Sequence, residues 1–213
     1  MLIILPGTVK FMSVLIAVCG ETYAILAADS RVSINNMDNK TECVNDNCHK
    51  IFQINDSLIF GGAGQFFHSE PLTAAFIGKD YNFLKLEEAD KLIQGYMETV
   101  FDKLSPIGKR SYVLCGKNEY GEMCLYQYNY NLATQEKQVQ RYNAPESDGD
   151  YYCIGLPPKL SNKVDEYETK IKNVLDSSRN IQDIFNGFSE IINSIATIDN
   201  MVGGKPEFVY IGT

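Results

Sequence analysis

The chain has 213 residues, 45% of them hydrophobic and 22% charged. That is the composition of a globular protein able to bury one sizeable core. A formal net charge of −8 argues against a surface for nucleic acid or anionic membrane, and no stretch offers the roughly 18–20 apolar residues of a membrane-spanning helix.

The N-terminal MLIILPG is apolar, but it stops at Pro6 and has no basic region before it, so it reads poorly as a secretory signal. Cys19, Cys43, Cys48, Cys115, Cys124 and Cys153 are scattered, mostly in apolar strand-like contexts. Reduced thiols and an intracellular, cytoplasmic setting are the expectation. The segment Cys43–His49 (CVNDNCH) gathers metal-binding residue types but lacks a second ligand pair. A structural zinc needs four ligands, so no metal or other cofactor is expected.

In chain order, residues 13–19 and 22–28 are apolar at both parities, as in a strand pair covered on both faces. Residues 33–47 are polar and rich in turn formers, and read as a loop. Residues 50–56 and 57–64 form a second hairpin around Asn-Asp. Residues 65–78 offer a short helix disturbed by Pro71, and 84–104 an amphipathic helix. Strands resume at 111–117, 122–130, 137–143 and 150–155, followed by helices at 162–175 and 180–199 and a closing strand at 206–212. Segregated runs of strands and helices imply an α+β domain with two stacked sheets between helical layers. No internal repeat or interdomain linker is evident.

Few polar residues interrupt the apolar elements. Asp29, Ser30 and Arg31 end the second strand, Lys50 opens the next, and Gly61, Gly62 and Gly64 close the one after. Singly, an Asp-Arg pair at a strand end reads as a solvated ion pair, and glycines there read as turns. Together they fit a nucleophile's surroundings. A serine hydroxyl needs a base, yet neither His49 nor His68 lies in a nucleophile motif such as G-x-S-x-G. A lysine or an α-amine remains. The α-amine is the apter, with an ordinary pKa of about 7.7–8.0. Removing Met12 would place such an amine on Ser13. Lys50 held by Asp29 would then lower the cost of a nearby alkoxide, and the Gly64 amide is a candidate oxyanion donor.

SVLIAVCGETYAILAADSR resembles the opening of a β-type proteasome subunit and of the peptidase of the bacterial two-ring ATP-dependent protease, both N-terminal-nucleophile (Ntn) hydrolases. LAADSR is its most specific piece. Registering Asp29-Ser30-Arg31 on the family motif places Ser13 on the nucleophile without a gap. Registering Lys50 on the family lysine places Gly64 on the oxyanion glycine, again without a gap. The loop between is longer here. IDNMVGGKPEFVYI matches the family's Asp-x-x-Ser-Gly-Gly segment, keeping Asp199, Gly203 and Gly204.

The resemblance implies a four-layer αββα sandwich over residues 13–213, with residues 1–12 as a removable extension. It implies a catalytic set of Ser13, Asp29, Arg31, Lys50, Gly64 and Asp199. It also implies that Ser33 pairs with an extended polypeptide substrate, and that Val32, Cys48, Phe52 and Gly62 line an apolar first specificity pocket. A homo-oligomeric ring and an ATPase unfoldase partner belong to the same picture.

Two positions depart from the family. Val202 stands where the family has a serine, and Leu156 in CIGLPP stands where an Ile-Gly-Ser segment would supply another. Both hydroxyls would hydrogen-bond around the nucleophile's amine and its water. The helix broken by Pro71 bears on contacts between subunits. Gly7-Thr8 looks like a self-cleavage junction, but taking Thr8 as nucleophile would shift the strand by more than about 15 Å at about 3.3 Å per residue. Ser13 is preferred, exposed either by processing or by trimming a chain begun at Met12. A peptidase is therefore expected. An inactive structural or regulatory subunit of the same fold is the alternative, as is a small-molecule amidase, which the extended-substrate geometry at Ser33 and Gly64 disfavours.

Overall fold

The first hairpin has no polar face because its sheet has no solvent face. In the computed structural model, which describes residues 13–35, 41–64, 83–101, 109–131, 134–144 and 150–212, β1 (Leu15–Cys19) and β2 (Tyr23–Ala28) occupy the middle of a four-stranded antiparallel sheet. The strand order is β10 (Tyr151–Gly155), β1, β2, β11 (Glu207–Gly212). Side chains alternate across a strand, so Leu15, Ala17 and Cys19 face one core while Val14, Ile16 and Val18 face another.

The first of these cores is shared with a second sheet, antiparallel throughout. It runs β5 (Ile51–Asn55), β6 (Leu58–Gly64), β7 (Lys109–Lys117), β8 (Met123–Asn131) and β9 (Glu136–Asn143). Ile51, Ile59, Val113, Cys115 and Leu125 meet Leu15, Ala17, Leu26 and Ala28 between the sheets. Gly61 makes this approach possible, since a Cβ there would lie 2.9 Å from Ile51 and 3.1 Å from Leu15.

Each sheet's outer face is covered by helix. Against the second sheet lies α1 (Leu86–Phe101), whose Leu86, Ala89, Ile93 and Met97 recur at helical spacing and pack on Phe60, Tyr112 and Tyr128. Against the first lie α2 (Val164–Ser177) and α3 (Ile181–Ile198), through Tyr167, Ile171, Phe188, Ile191, Ile192 and Ile195. Asn180 caps α3 by accepting from the Asp183 amide at 3.0 Å. The result is an α+β sandwich: helices, sheet, sheet, helix. Among the described residues no helix is long and apolar enough to cross a membrane.

The predicted elements and the observed ones differ mainly at residues 33–47. That segment is not a plain loop but carries an antiparallel ribbon, β3 (Val32–Asn35) with β4 (Thr41–Asn45). Cys43 and its β4 neighbours are largely exposed, so the strand lacks the apolar alternation by which a half-buried strand is read. Residues 1–12, with Thr8, and the expected helix at 65–78, with Pro71, lie outside the described residues.

Two stability outcomes follow from these cores. Gly61→Val overpacks the space between the sheets and lowers stability in urea by about 1–3 kcal/mol. Gly95→Ala, where a Cβ in α1 meets nothing within 4 Å, raises it by up to about 1 kcal/mol. Equal midpoints for the two variants would contradict the packing. The second outcome concerns pH. Burial pushes the Cys19 and Cys153 thiols up to about 12 and the Cys115 thiol well above its ordinary value of 9.0. Their native pKa values lie above the unfolded ones, so their contribution is complete below about pH 9 and fades as pH rises towards about 12. The urea midpoint therefore falls between about pH 8 and about pH 10, and falls less in Cys115→Ala. An identical fall in both proteins would contradict this.

Candidate active site

Antiparallel pairing of Leu15 with Ala28 brings Val14 opposite Asp29. There the two residues bond directly: the Asp29 amide donates to the Val14 carbonyl at 3.3 Å, and the Val14 amide donates to Asp29 Oδ1 at 2.9 Å. Ser13, one residue further, shares its parity with Leu15 and so lies on the side facing the second sheet. It is buried, with 9% of its surface exposed. The second sheet presents its matching end there, because Ile51 pairs with Gly61 and the Gly62 amide donates to the Lys50 carbonyl at 2.9 Å.

Asp29 is fully buried and its carboxylate is fully used. Oδ1 accepts from Lys50 Nζ at 2.8 Å as well as from the Val14 amide, and Oδ2 accepts from the Gly203 amide at 3.1 Å and the Arg31 amide at 3.3 Å. Four donors saturate the lone pairs of a carboxylate. Lys50 is equally enclosed, its side chain 3% exposed, and its ammonium also donates to the Arg31 carbonyl at 2.7 Å. Burial pulls the Lys50 ammonium below the ordinary lysine range, and the Asp29 carboxylate opposes that shift. A buried cation thus sits on the oxygen that also holds the amide next to Ser13.

Arg31 has another use. Its guanidinium grips Asp46 at 2.6 and 3.1 Å and donates to the Asn200 carbonyl at 3.1 Å. The Arg31 guanidinium holds the Asp46 carboxyl below the usual carboxylate range. Ser30 Oγ donates to the Asp46 carbonyl at 2.5 Å and accepts from the Lys205 amide at 2.8 Å. Asp-Ser-Arg is therefore a knot tying the strand end to the ribbon and to residues 200–205. Both glycines that follow are required by it. A Cβ on Gly203 would lie 2.7 Å from the Arg31 guanidinium carbon, and Gly204, at φ 73°, would put one 2.4 Å from Ser30 Oγ.

Of the remaining expected residues, Gly64 ends β6 at φ 109°, paired with Arg110. Ser33 is buried, its hydroxyl donating to the Met201 carbonyl at 3.3 Å and its backbone paired with Cys43. Val32 is buried; Cys48 is half-buried, with its amide on the Ser30 carbonyl at 2.9 Å. Phe52 is not with them: it packs against the outer core under α1, because Ile51 takes the inward parity of β5. Cys43 and His49 do not share a centre, since Cys43 Sγ meets Asp46 at 3.3 Å and His49 Nδ1 meets Glu207 at 2.7 Å. Among the described residues no three His, Cys, Asp or Glu side chains are grouped to hold a metal ion.

Asp199, at the end of α3, is fully buried; Oδ1 accepts from the Met201 amide at 3.0 Å and lies 3.7 Å from Lys159 Nζ. Val202 and Leu156, which replace two expected hydroxyls, both pack into the core under α2 and α3. Sequence spacing gave no sign of Asp46 or Lys159, the first inside a polar turn-rich stretch and the second after Pro157-Pro158. A cavity of about 410 Å³ lies at the opposite end of the second sheet, lined by Ser57, Phe83, Lys85, Lys117 and Asn118.

No protein-family model matches the chain, and no curated protein matches it at a significant level.

Removing the Lys50 ammonium leaves Asp29 as an uncompensated buried charge. Lys50→Met should cost about 3–5 kcal/mol in urea unfolding, against less than about 1 kcal/mol for Lys170→Met in an exposed helical pair. A similar small cost for both would contradict the buried pair.

Proposed function

We propose that the chain is a peptidase of the N-terminal-nucleophile type, proteasome-like in fold, acting through Ser13 once residues 1–12 have been removed. The observation that carries the reading is the buried Asp29–Lys50 pair, whose shared oxygen also fixes the amide beside Ser13. The two sheets meeting at that end support it, because Asp29 joins the amide beside Ser13 in the first sheet to Lys50 beside the second.

In this mechanism Ser13 Oγ attacks the peptide carbonyl while its proton passes to the Ser13 α-amine. The Lys50 charge and the Gly64 amide stabilise the tetrahedral oxyanion. The C–N bond then breaks, the α-ammonium returns the proton to the leaving amine, and an ester on Ser13 remains. Water, deprotonated by the same amine, hydrolyses that ester and restores the hydroxyl. The proposal extends to polypeptide substrates, a homo-oligomeric ring served by an ATPase, and a cytoplasmic setting.

One observation favours a second reading, a subunit of this fold without activity. Val202 and Leu156 place methyl groups in a core where the family's hydroxyls would serve the amine. The two readings part in one experiment. Protein purified from cells should begin at Ser13 by intact mass, and a fluorogenic peptide panel should show kcat/KM at least about a thousandfold lower for Ser13→Ala. An N-terminus upstream of Ser13 in all material, or equal rates in both proteins, rejects the peptidase.

A further inference from the structure

We propose that Lys159 is a positioning residue of this site: its ammonium supplies the counter-charge that holds Asp199 in place where hydroxyls at 156 and 202 are missing. The inference rests on the peptidase reading for its catalytic consequence.

Asp199 is in an unfavourable place for an anion. It is fully buried and forms the C-cap of α3, its own amide bonded back to the Ile195 carbonyl at 2.9 Å. The carbonyl end of a helix carries partial negative charge and repels a carboxylate. Only Oδ1 is served, by the Met201 amide, while Oδ2 has no hydrogen-bond donor among the described residues. A serine at 202, whose amide bonds the Asp199 carbonyl at 3.0 Å, would bring a donor to this neighbourhood, but the Val202 side chain brings none. The chain nevertheless keeps the carboxylate, and Met201 and Gly203 just beyond it serve the site directly. The Met201 carbonyl accepts from Ser33, and the Gly203 amide binds Asp29.

Lys159 Nζ lies 3.7 Å from Asp199 Oδ1. Its backbone belongs to a 3₁₀ turn, Pro158–Lys163, fixed by two prolines, by the buried Leu160 and by the Leu160 amide on the Pro157 carbonyl at 2.8 Å. The lysine is 62% exposed, and an exposed pair is ordinarily weak. Here its partner is a buried carboxylate, and stripping the cation from a buried charge is costly. The approach is to Oδ1, the oxygen that also holds the Met201 amide, so the ammonium acts as a counter-charge to the carboxylate rather than as a donor to Oδ2.

Two measurements decide the assignment. In the full chain, a urea double-mutant cycle of Lys159→Met and Asp199→Asn tests the pair. Lys159→Met should lower the midpoint when Asp199 is intact and leave it unchanged in the Asp199→Asn background; an equal shift in both backgrounds overturns the pairing. In protein beginning at Ser13, Lys159→Met should lower kcat about tenfold or more with KM held within about twofold. Lys159→Arg should retain the rate, and Val202→Ser added to Lys159→Met should restore part of it. Unchanged kcat, a loss confined to KM, or equal loss in Lys159→Arg overturns the positioning role, and this arm decides if Asp199→Asn does not fold. If wild type is no faster than Ser13→Ala, the peptidase reading fails on its own, and the cycle still accepts or rejects the Lys159–Asp199 pair.

Discussion

A single buried carboxylate organises this end of the molecule. Asp29 has no exposed surface, and leaving such a charge unpaired would cost several kcal/mol. It is tolerable only because four donors from four parts of the chain converge on it: Val14 just before β1, Arg31 after β2, Lys50 just before β5 and Gly203 after α3. The requirement works in both directions. Satisfying Asp29 fixes the relative position of both sheets and of the 199–205 segment, and those elements in turn hold Lys50 away from water. Burial of the lysine is what gives its charge chemical leverage, since a cation acts more strongly where solvent does not screen it.

The surrounding layers explain why this geometry is stable. The hairpin that carries Ser13 and Asp29 is apolar on both faces and sits between two cores, so neither strand has room to slip. A shift of one residue would exchange its two faces and move Asp29 off the Val14 amide. The Arg31–Asp46 grip then ties the exposed ribbon to the strand end. β4 has little buried surface of its own, so this charge-assisted contact and the Ser30 bond add to the hold that buried Val32 and Ser33 give through β3.

Much of this was legible in the sequence, for reasons particular to certain residues. Strands with both parities apolar announced a sheet covered on both faces. The spacing that sets Asp29 against Val14 was legible too, because a hairpin converts sequence spacing into fixed position. What the sequence hid depends on contacts across the fold. Asp46 is an undistinguished residue in a turn-rich stretch until Arg31 reaches it from fifteen residues away. Lys159 acquires meaning only when the end of α3 is folded against it. Phe52 was expected at the pocket, but parity within β5 turns it to the opposite face, a distinction that registering the motif alone does not make.

The proposed peptidase chemistry is tested most directly by the residue that a trapping electrophile labels. Active protein treated with a peptide electrophile that traps nucleophilic hydroxyls, then digested and sequenced by tandem mass spectrometry, reports the modified residue. A Ser13 nucleophile puts the adduct on Ser13 as the first residue of the chain, and excess substrate abolishes it. An adduct on any other residue, or labelling of protein that still carries residues upstream of Ser13, would contradict it.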